Sequence, residues 1–162
     1  MERFTGKIEV WAVFDKELDG MVDWVNATPL EDWPQQQKRA NGGIRPAMVN
    51  DSDPLPGFAQ ARRRLTARFM WQIREARDYN HMLSVVMPGD DIYPHADKQP
   101  EDWLFRVHIP LVTNDKAWFF VEGERFHLSQ GTVYLVNTER VHEIRNEGDT
   151  PRIHYMFDVK SV

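Results

Sequence analysis

The second half of this chain constrains its fold more than any other feature. Short stretches rich in β-branched and aromatic residues follow one another there, each ended by turn residues. They run from Met82 to Met87, Trp103 to Val112, Ala117 to Val121, Arg125 to Leu128, Thr132 to Val136 and Arg152 to Val159. Glu122-Gly123 sits where a tight hairpin turn belongs, with glycine supplying the positive φ. Asn146 to Asp149 marks the connection into the last strand. Short strands at this spacing lead to a β-sandwich or jelly roll.

The first half is mixed. Ile8 to Phe14 reads as a strand and Glu17 to Val25 as a short helix. Asn41-Gly42-Gly43 and Asp53-Pro54-Leu55-Pro56-Gly57 read as loops. Phe58 to Tyr79 is the longest helical pattern, with Leu65, Phe69, Ile73 and Ala76 on one face. The fold expected is therefore α+β, with N-terminal helices packed on one sheet of a β-sandwich core. A length of 162 residues fits a single domain. Within it, residues 1–80 form an N-terminal α/β support and residues 81–160 the β core.

Alternation within the strands carries more than their existence. Arg106 and His108 share one face of their strand, while Val107, Ile109 and Leu111 share the other. Arg152 and His154 are split in the same way from Ile153, Tyr155 and Phe157. Such a polar face meets either solvent or the inside of a wet cavity. His95 and Asp97, two residues apart, project together if their segment is extended. Two such strands beside such a pair favour the cavity.

His95, Asp97 and His142 have the composition of the two-histidine, one-carboxylate set that holds non-haem ferrous iron by one face. The opposite face stays open for a co-substrate and O₂. Arg152, ten residues after His142, suits a dicarboxylate co-substrate, because its planar fork matches a carboxylate. An iron(II)- and 2-oxoglutarate-dependent oxygenase is the reading these residues favour. The chain has no cysteine, so disulfides, thiolate metal sites and thiol nucleophiles are excluded. The charged start lacks the apolar run of a signal peptide, and no stretch approaches membrane-spanning length. A cytoplasmic protein without a membrane partner is expected. The net charge of −5 argues against nucleic acid. The run Arg62-Arg63-Arg64, with Arg68, Arg74 and Arg77, reads as a solvated helix face balanced by Glu75 and Asp78. Six Trp and nine Phe are mostly core material, and nothing selects among Trp33, Trp103 and Trp118 as pocket residues. His81, His127 and His154 have no pattern that raises them above structural roles.

Met82 through His95, with its Pro88-Gly89 turn, resembles the approach to the first metal-binding histidine of the aspartyl/asparaginyl β-hydroxylase family. The resemblance continues through Arg106 to Leu111, Gly131, Asn137-Thr138, His142 to Asn146 and Arg152 to Asp158. It covers residues 82–158, and the N-terminal half carries no matching motif. The resemblance implies a double-stranded β-helix, the jelly-roll, cupin-like core of that family. It implies that His95, Asp97 and His142 bind Fe(II), that Arg152 pairs with the distal carboxylate of 2-oxoglutarate, and that Ser84, Arg106 and His108 make further co-substrate contacts. Asp97 is a point of contrast, since animal members of the family lack this carboxylate. The implied reaction hydroxylates an unactivated carbon and releases succinate and CO₂. Its acceptor would be an aspartyl or asparaginyl side chain in a peptide, or a related amino-acid-like small molecule. Two alternatives remain open: a hydroxylase of an unrelated acceptor such as free proline or a lipid, and a cupin-like binding module without turnover.

Overall fold

The computed structural model describes residues 2–13, 18–32, 37–38, 44–45 and 56–162. In chain order the strands are β1 (Ile8–Val13), β2 (Gln37–Lys38), β3 (Ile44–Arg45), β4 (Ala76–Val86), β5 (Asp91–His95), β6 (Trp103–Val112), β7 (Ala117–Val121), β8 (Glu124–Phe126), β9 (Thr132–Val136), β10 (His142–Asn146) and β11 (Arg152–Ser161). Helix α1 (Asp19–Ala27) and helix α2 (Pro56–Met70) belong to the first half. One sheet has the order β1-β9-β6-β11-β4-β3-β2 and the other β5-β10-β7-β8. From β4 to β11 the chain passes back and forth between the two sheets, which is the winding of a double-stranded β-helix. The expected α+β jelly-roll fold is the one observed.

Strand alternation sorts side chains to the two faces of the larger sheet. On β6, Trp103, Phe105, Val107, Ile109 and Leu111 join one apolar cluster, and on β11 Ile153, Tyr155, Phe157 and Val159 join the same one. Helices α1 and α2 cover this face with Met21, Val25, Phe58, Leu65 and Phe69. Of the helix face expected from Leu65, Phe69, Ile73 and Ala76, Leu65 and Phe69 lie on α2 and are buried. The intervening residues of β6 and β11 face the smaller sheet. There Val86, Ile92, Phe119, Val121, Tyr134, Val136 and Ile144 form a second apolar cluster. Arg106, His108, Arg152, His154 and Asp158 are buried on β6 and β11 as well.

Several boundaries depart from the sequence reading. The helix expected to reach Tyr79 ends at Met70, and β4 begins already at Ala76. Glu75 adopts a left-handed φ of 58°, which a helix interior does not allow. The long last strand also needs a partner: Asp158, Val159, Lys160 and Ser161 pair with Tyr79, Asp78, Arg77 and Ala76. Ile73 still reaches the core, from the turn after the helix rather than from the helix. Pro56, expected in a loop, opens α2, where a missing N–H costs nothing. Phe14, Glu17, Trp33, Asn41 to Gly43 and Asp53 to Leu55 lie outside the described residues. Strands β5 and β10 were not anticipated as strands. The β7–β8 hairpin turns as expected, with positive φ at both Glu122 (51°) and Gly123 (78°).

The arginine run divides. Arg63, Arg64, Arg68, Arg74 and Arg77 are exposed, but Arg62 is buried and turns toward Tyr155. Thr66 Oγ1 donates to the Arg62 carbonyl and lies 3.3 Å from the Tyr155 hydroxyl, which is 2.7 Å from His81 Nδ1. This polar chain fastens α2 to the sheet beneath it. Among the described residues no helix is long and apolar enough to cross a membrane.

Phe69 is almost fully buried between Trp11 (centroids 5.2 Å apart) and Phe157 (5.7 Å). Phe69→Ala is expected to lower unfolding free energy by about 3–5 kcal/mol in urea titrations. Trp71→Ala, at a side chain 87% exposed, is expected to stay within about 0.5 kcal/mol of wild type.

Candidate metal centre

His95 closes β5 and His142 opens β10, and the two are direct partners across the smaller sheet. The register shifts between this pair and Ile92–Ile144, so Tyr93 and Pro94 of β5 oppose Glu143 alone of β10. That bulge is why Ile92 and His95, an odd number of residues apart, both face the cavity. Asp97 follows on a loop, its backbone N–H donating to the Thr138 carbonyl at 2.8 Å. The ligand atoms of His95, Asp97 and His142 all lie within 4.8 Å of one another. His95 Nε2 is 3.7 Å from Asp97 Oδ1.

Each imidazole is oriented by a backbone carbonyl two residues earlier. His95 Nδ1 bonds the Tyr93 carbonyl at 2.8 Å, and His142 Nδ1 bonds the Arg140 carbonyl at 3.0 Å. A carbonyl only accepts, so Nδ1 carries the proton and Nε2 is left with its lone pair. The His142 ring lies parallel to Phe119, with centroids 5.8 Å apart. Burial lowers the His142 pKa to about 4, with neighbouring His95 and Arg106 acting in the same direction. At neutral pH His142 is therefore the neutral base that metal ligation requires.

Behind these donors a narrow cleft opens between the two sheets. Ser84, Arg106, His108, Phe119 and Arg152 line it together with the three donors. Its two arginines differ in state. Arg106 donates through Nε and Nη2 to Asp158, both at 2.9 Å, and through Nη1 to Asp97 at 2.6 Å. Burial opposes the charge on Arg106, yet the two carboxylates together raise its pKa above the ordinary arginine value. Arg152 is only 2% exposed, and no carboxylate among the described residues lies within ion-pair distance of it. Its Nη2 is 2.9 Å from His154 Nδ1. Burial alone lowers its pKa to about 9. A buried, uncompensated guanidinium costs several kcal/mol, and an anion entering the cleft would offset that cost.

All the residues expected at the site line one cavity: His95, Asp97 and His142 at one part, with Ser84, Arg106, His108 and Arg152 around the rest. Arg106 is the departure, because its guanidinium is already engaged by two carboxylates. Two further buried residues were missed. His154 stands against Arg152, and Asp158 holds Arg106. Their signal was the alternation itself, since residues 152, 154, 156 and 158 share a strand face. Neither Trp103 nor Trp118 lines the cleft. Trp103 packs on the helix side, and Trp118 is half-buried against Arg125 and His127. The aromatic ring of the cavity is Phe119.

The sequence profile of the aspartyl/asparaginyl beta-hydroxylase family matches residues 10–161, well beyond the motif-bearing half. Among solved structures the fold is similar to a Trichoplax adhaerens prolyl hydroxylase in complex with a hypoxia inducible factor peptide fragment. That match has a TM-score of 0.72 at 11% identity, covering 97% of this chain and 84% of that one. A Pseudomonas putida prolyl-4-hydroxylase matches with a TM-score of 0.68 at 15% identity, covering 98% and 94%. HygX from Streptomyces hygroscopicus, with nickel, 2-oxoglutarate and hygromycin B bound, matches with a TM-score of 0.65 at 14% identity, covering 98% and 84%. At these identities the likeness is one of fold.

The buried histidines give the apo protein a defined pH response. His108 and His154 are held well below their ordinary pKa, by burial first and then by the charge of Arg152. Unfolded, they take up protons near pH 6.5; folded, they do not. The unfolded chain thus binds more protons below that pH, so stability is complete above about pH 6.5 and falls on acidification. Each such histidine contributes up to about 1.4 kcal/mol per pH unit. Thermal melts of metal-free protein from pH 7.5 to 5 are expected to show a falling Tm, with a shallower fall in His154→Gln. A flat profile would contradict the assignment of neutral buried imidazoles.

Proposed function

The chain belongs to the aspartyl/asparaginyl β-hydroxylase family, and we propose that it is an iron(II)- and 2-oxoglutarate-dependent dioxygenase acting on an aspartyl or asparaginyl side chain of a peptide, or on a related amino-acid-like acid. One observation carries this reading: a convergent His95, Asp97 and His142 triad opens onto a cavity that buries Arg152 without a carboxylate partner among the described residues. A metal site alone would not need the arginine. A structural arginine would not need the metal donors beside it.

The donor set fits the metal. Two neutral imidazoles and one carboxylate suit ferrous iron and leave adjacent positions open. Bound iron and 2-oxoglutarate together supply oxidative decarboxylation to succinate and CO₂, coupled to insertion of one oxygen atom of O₂ into a C–H bond. The chain supplies the rest. His95 Nε2, His142 Nε2 and Asp97 Oδ1 would hold the metal. Arg152 would take the far carboxylate of the co-substrate, with Ser84 and His108 completing its polar surroundings. Both ring nitrogens of His108, which lines the cleft, have no hydrogen-bond partner among the described residues, so this end of the cavity holds unused polar capacity for a ligand. Met82, Ile92, Phe119, Ile144 and Met156 make the remaining wall apolar and keep bulk water from the reacting centre.

The acceptor is tested by turnover. Succinate release should rise when the right acceptor is added, and that acceptor should gain the mass of one oxygen atom. Peptides bearing aspartate or asparagine are expected to stimulate release more than free proline or fatty acids; the reverse order would move the chain to another substrate class. Arg152→Lys, which loses the fork, is expected to raise the 2-oxoglutarate KM about 10- to 100-fold. An unchanged KM would sink the role given to Arg152.

A further inference from the structure

Asp97 is the donor whose own backbone constrains it least. It lies beyond the end of β5, and 27% of its side chain is exposed. A free carboxylate there would rotate and present either oxygen, or both, to a metal. Arg106 removes that freedom by donating to Oδ2 and leaving Oδ1 toward His95. Arg106 is itself a long side chain with several rotamers, so something must fix it in turn. Asp158 is directly opposite Arg106 in the β6–β11 register and has no solvent exposure. It accepts the fork from Arg106 Nε and Nη2, a third hydrogen bond from Trp103 Nε1 at 3.1 Å and a fourth from Asn80 Nδ2. A carboxylate so saturated has no capacity left for a ligand, and its effect is to hold the guanidinium still.

We infer that Asp158 is a positioning residue for the metal: it fixes Arg106, and Arg106 fixes Asp97 as a donor through Oδ1 alone. This deepens the metal-centre reading and rests on it. It also gives Arg106 a different task from Arg152. Three of the five N–H donors of Arg106 already serve two carboxylates of the chain, whereas Arg152 has no carboxylate partner among the described residues and is the arginine free to take the co-substrate's far carboxylate. The chain thus supplies two arginines with separate duties, one toward the protein's own carboxylate ligand and one toward the ligand's carboxylate. Groups that orient metal ligands from behind typically change affinity by 10- to 100-fold when removed.

The test uses Mn(II), which is redox-inert, titrated alone into the metal-free full chain and followed by the paramagnetic resonance signal of the free ion. Asp158→Asn and Arg106→Lys are each expected to weaken Mn(II) binding by about 10- to 100-fold while circular dichroism stays native. Lysine keeps the charge but cannot span both carboxylates, so it decides the matter even where Asp158→Asn folds poorly. The same substitutions are repeated in an Asp97→Ala background. There they should change Mn(II) affinity by less than about twofold, because the group they position is gone. Equal losses in both backgrounds, or no loss in either, would overturn the inference. A different result marks failure of the metal reading itself: Mn(II) affinity that is unaffected by His95→Ala and His142→Ala.

Discussion

Strands β6 and β11 cannot offer either face to water, and the rest of the structure follows from that. One face of each is sealed by the helices, and the other looks into the space between the sheets. An ordinary sandwich would fill that space with hydrocarbon. Here part of it does so around Phe119, Val121 and Ile144, while the remainder takes Arg106, His108, Arg152, His154 and Asp158. Charge in such surroundings must be compensated, and how each charge is compensated divides the cavity into two regions.

Near the donors, compensation is internal. Two carboxylates share one guanidinium, and the arrangement is rigid because Asp158 and Arg106 are cross-strand neighbours. Around Arg152, compensation is incomplete among the described residues, since its hydrogen bond there is to a neutral histidine. A fold that leaves one cation short of a partner sacrifices stability in its empty state, and a bound anion restores it by mass action. Stability and ligand capture are linked at the same side chain. The tautomers of His95 and His142, fixed by backbone carbonyls two residues earlier in each case, complete a site whose parts are oriented before any ligand arrives.

The site was legible in the sequence because strand period and chemistry coincide there. His95, Asp97, His142 and Arg152 are spaced so that strands bring them together, and β6, β7 and β9 have the expected boundaries. Sequence and structure differ where local pattern and tertiary demand diverge. Residues 71–79 keep helical spacing of apolar side chains, yet β11 requires a partner along its whole length and recruits them as turn and strand. Arg62 belongs to a run that reads as solvated, and only the position of Tyr155 beneath the helix turns it inward. Asp158 looks like a strand end in sequence. Its importance depends on register with Arg106, which no single-chain pattern states. Tyr93 and Pro94 likewise conceal a bulge, without which His95 would turn away from His142.

In the proposed enzyme one cavity holds a ferrous ion and a 2-oxoglutarate at the same time. Anaerobic titration of the metal-free chain with Fe(II) and 2-oxoglutarate tests it most directly, because chelation of the keto acid by protein-bound iron gives a visible charge-transfer band. A saturable band that needs both additions and is lost in His95→Ala is expected. A band absent from wild type, or one that persists unchanged in His95→Ala, would contradict it.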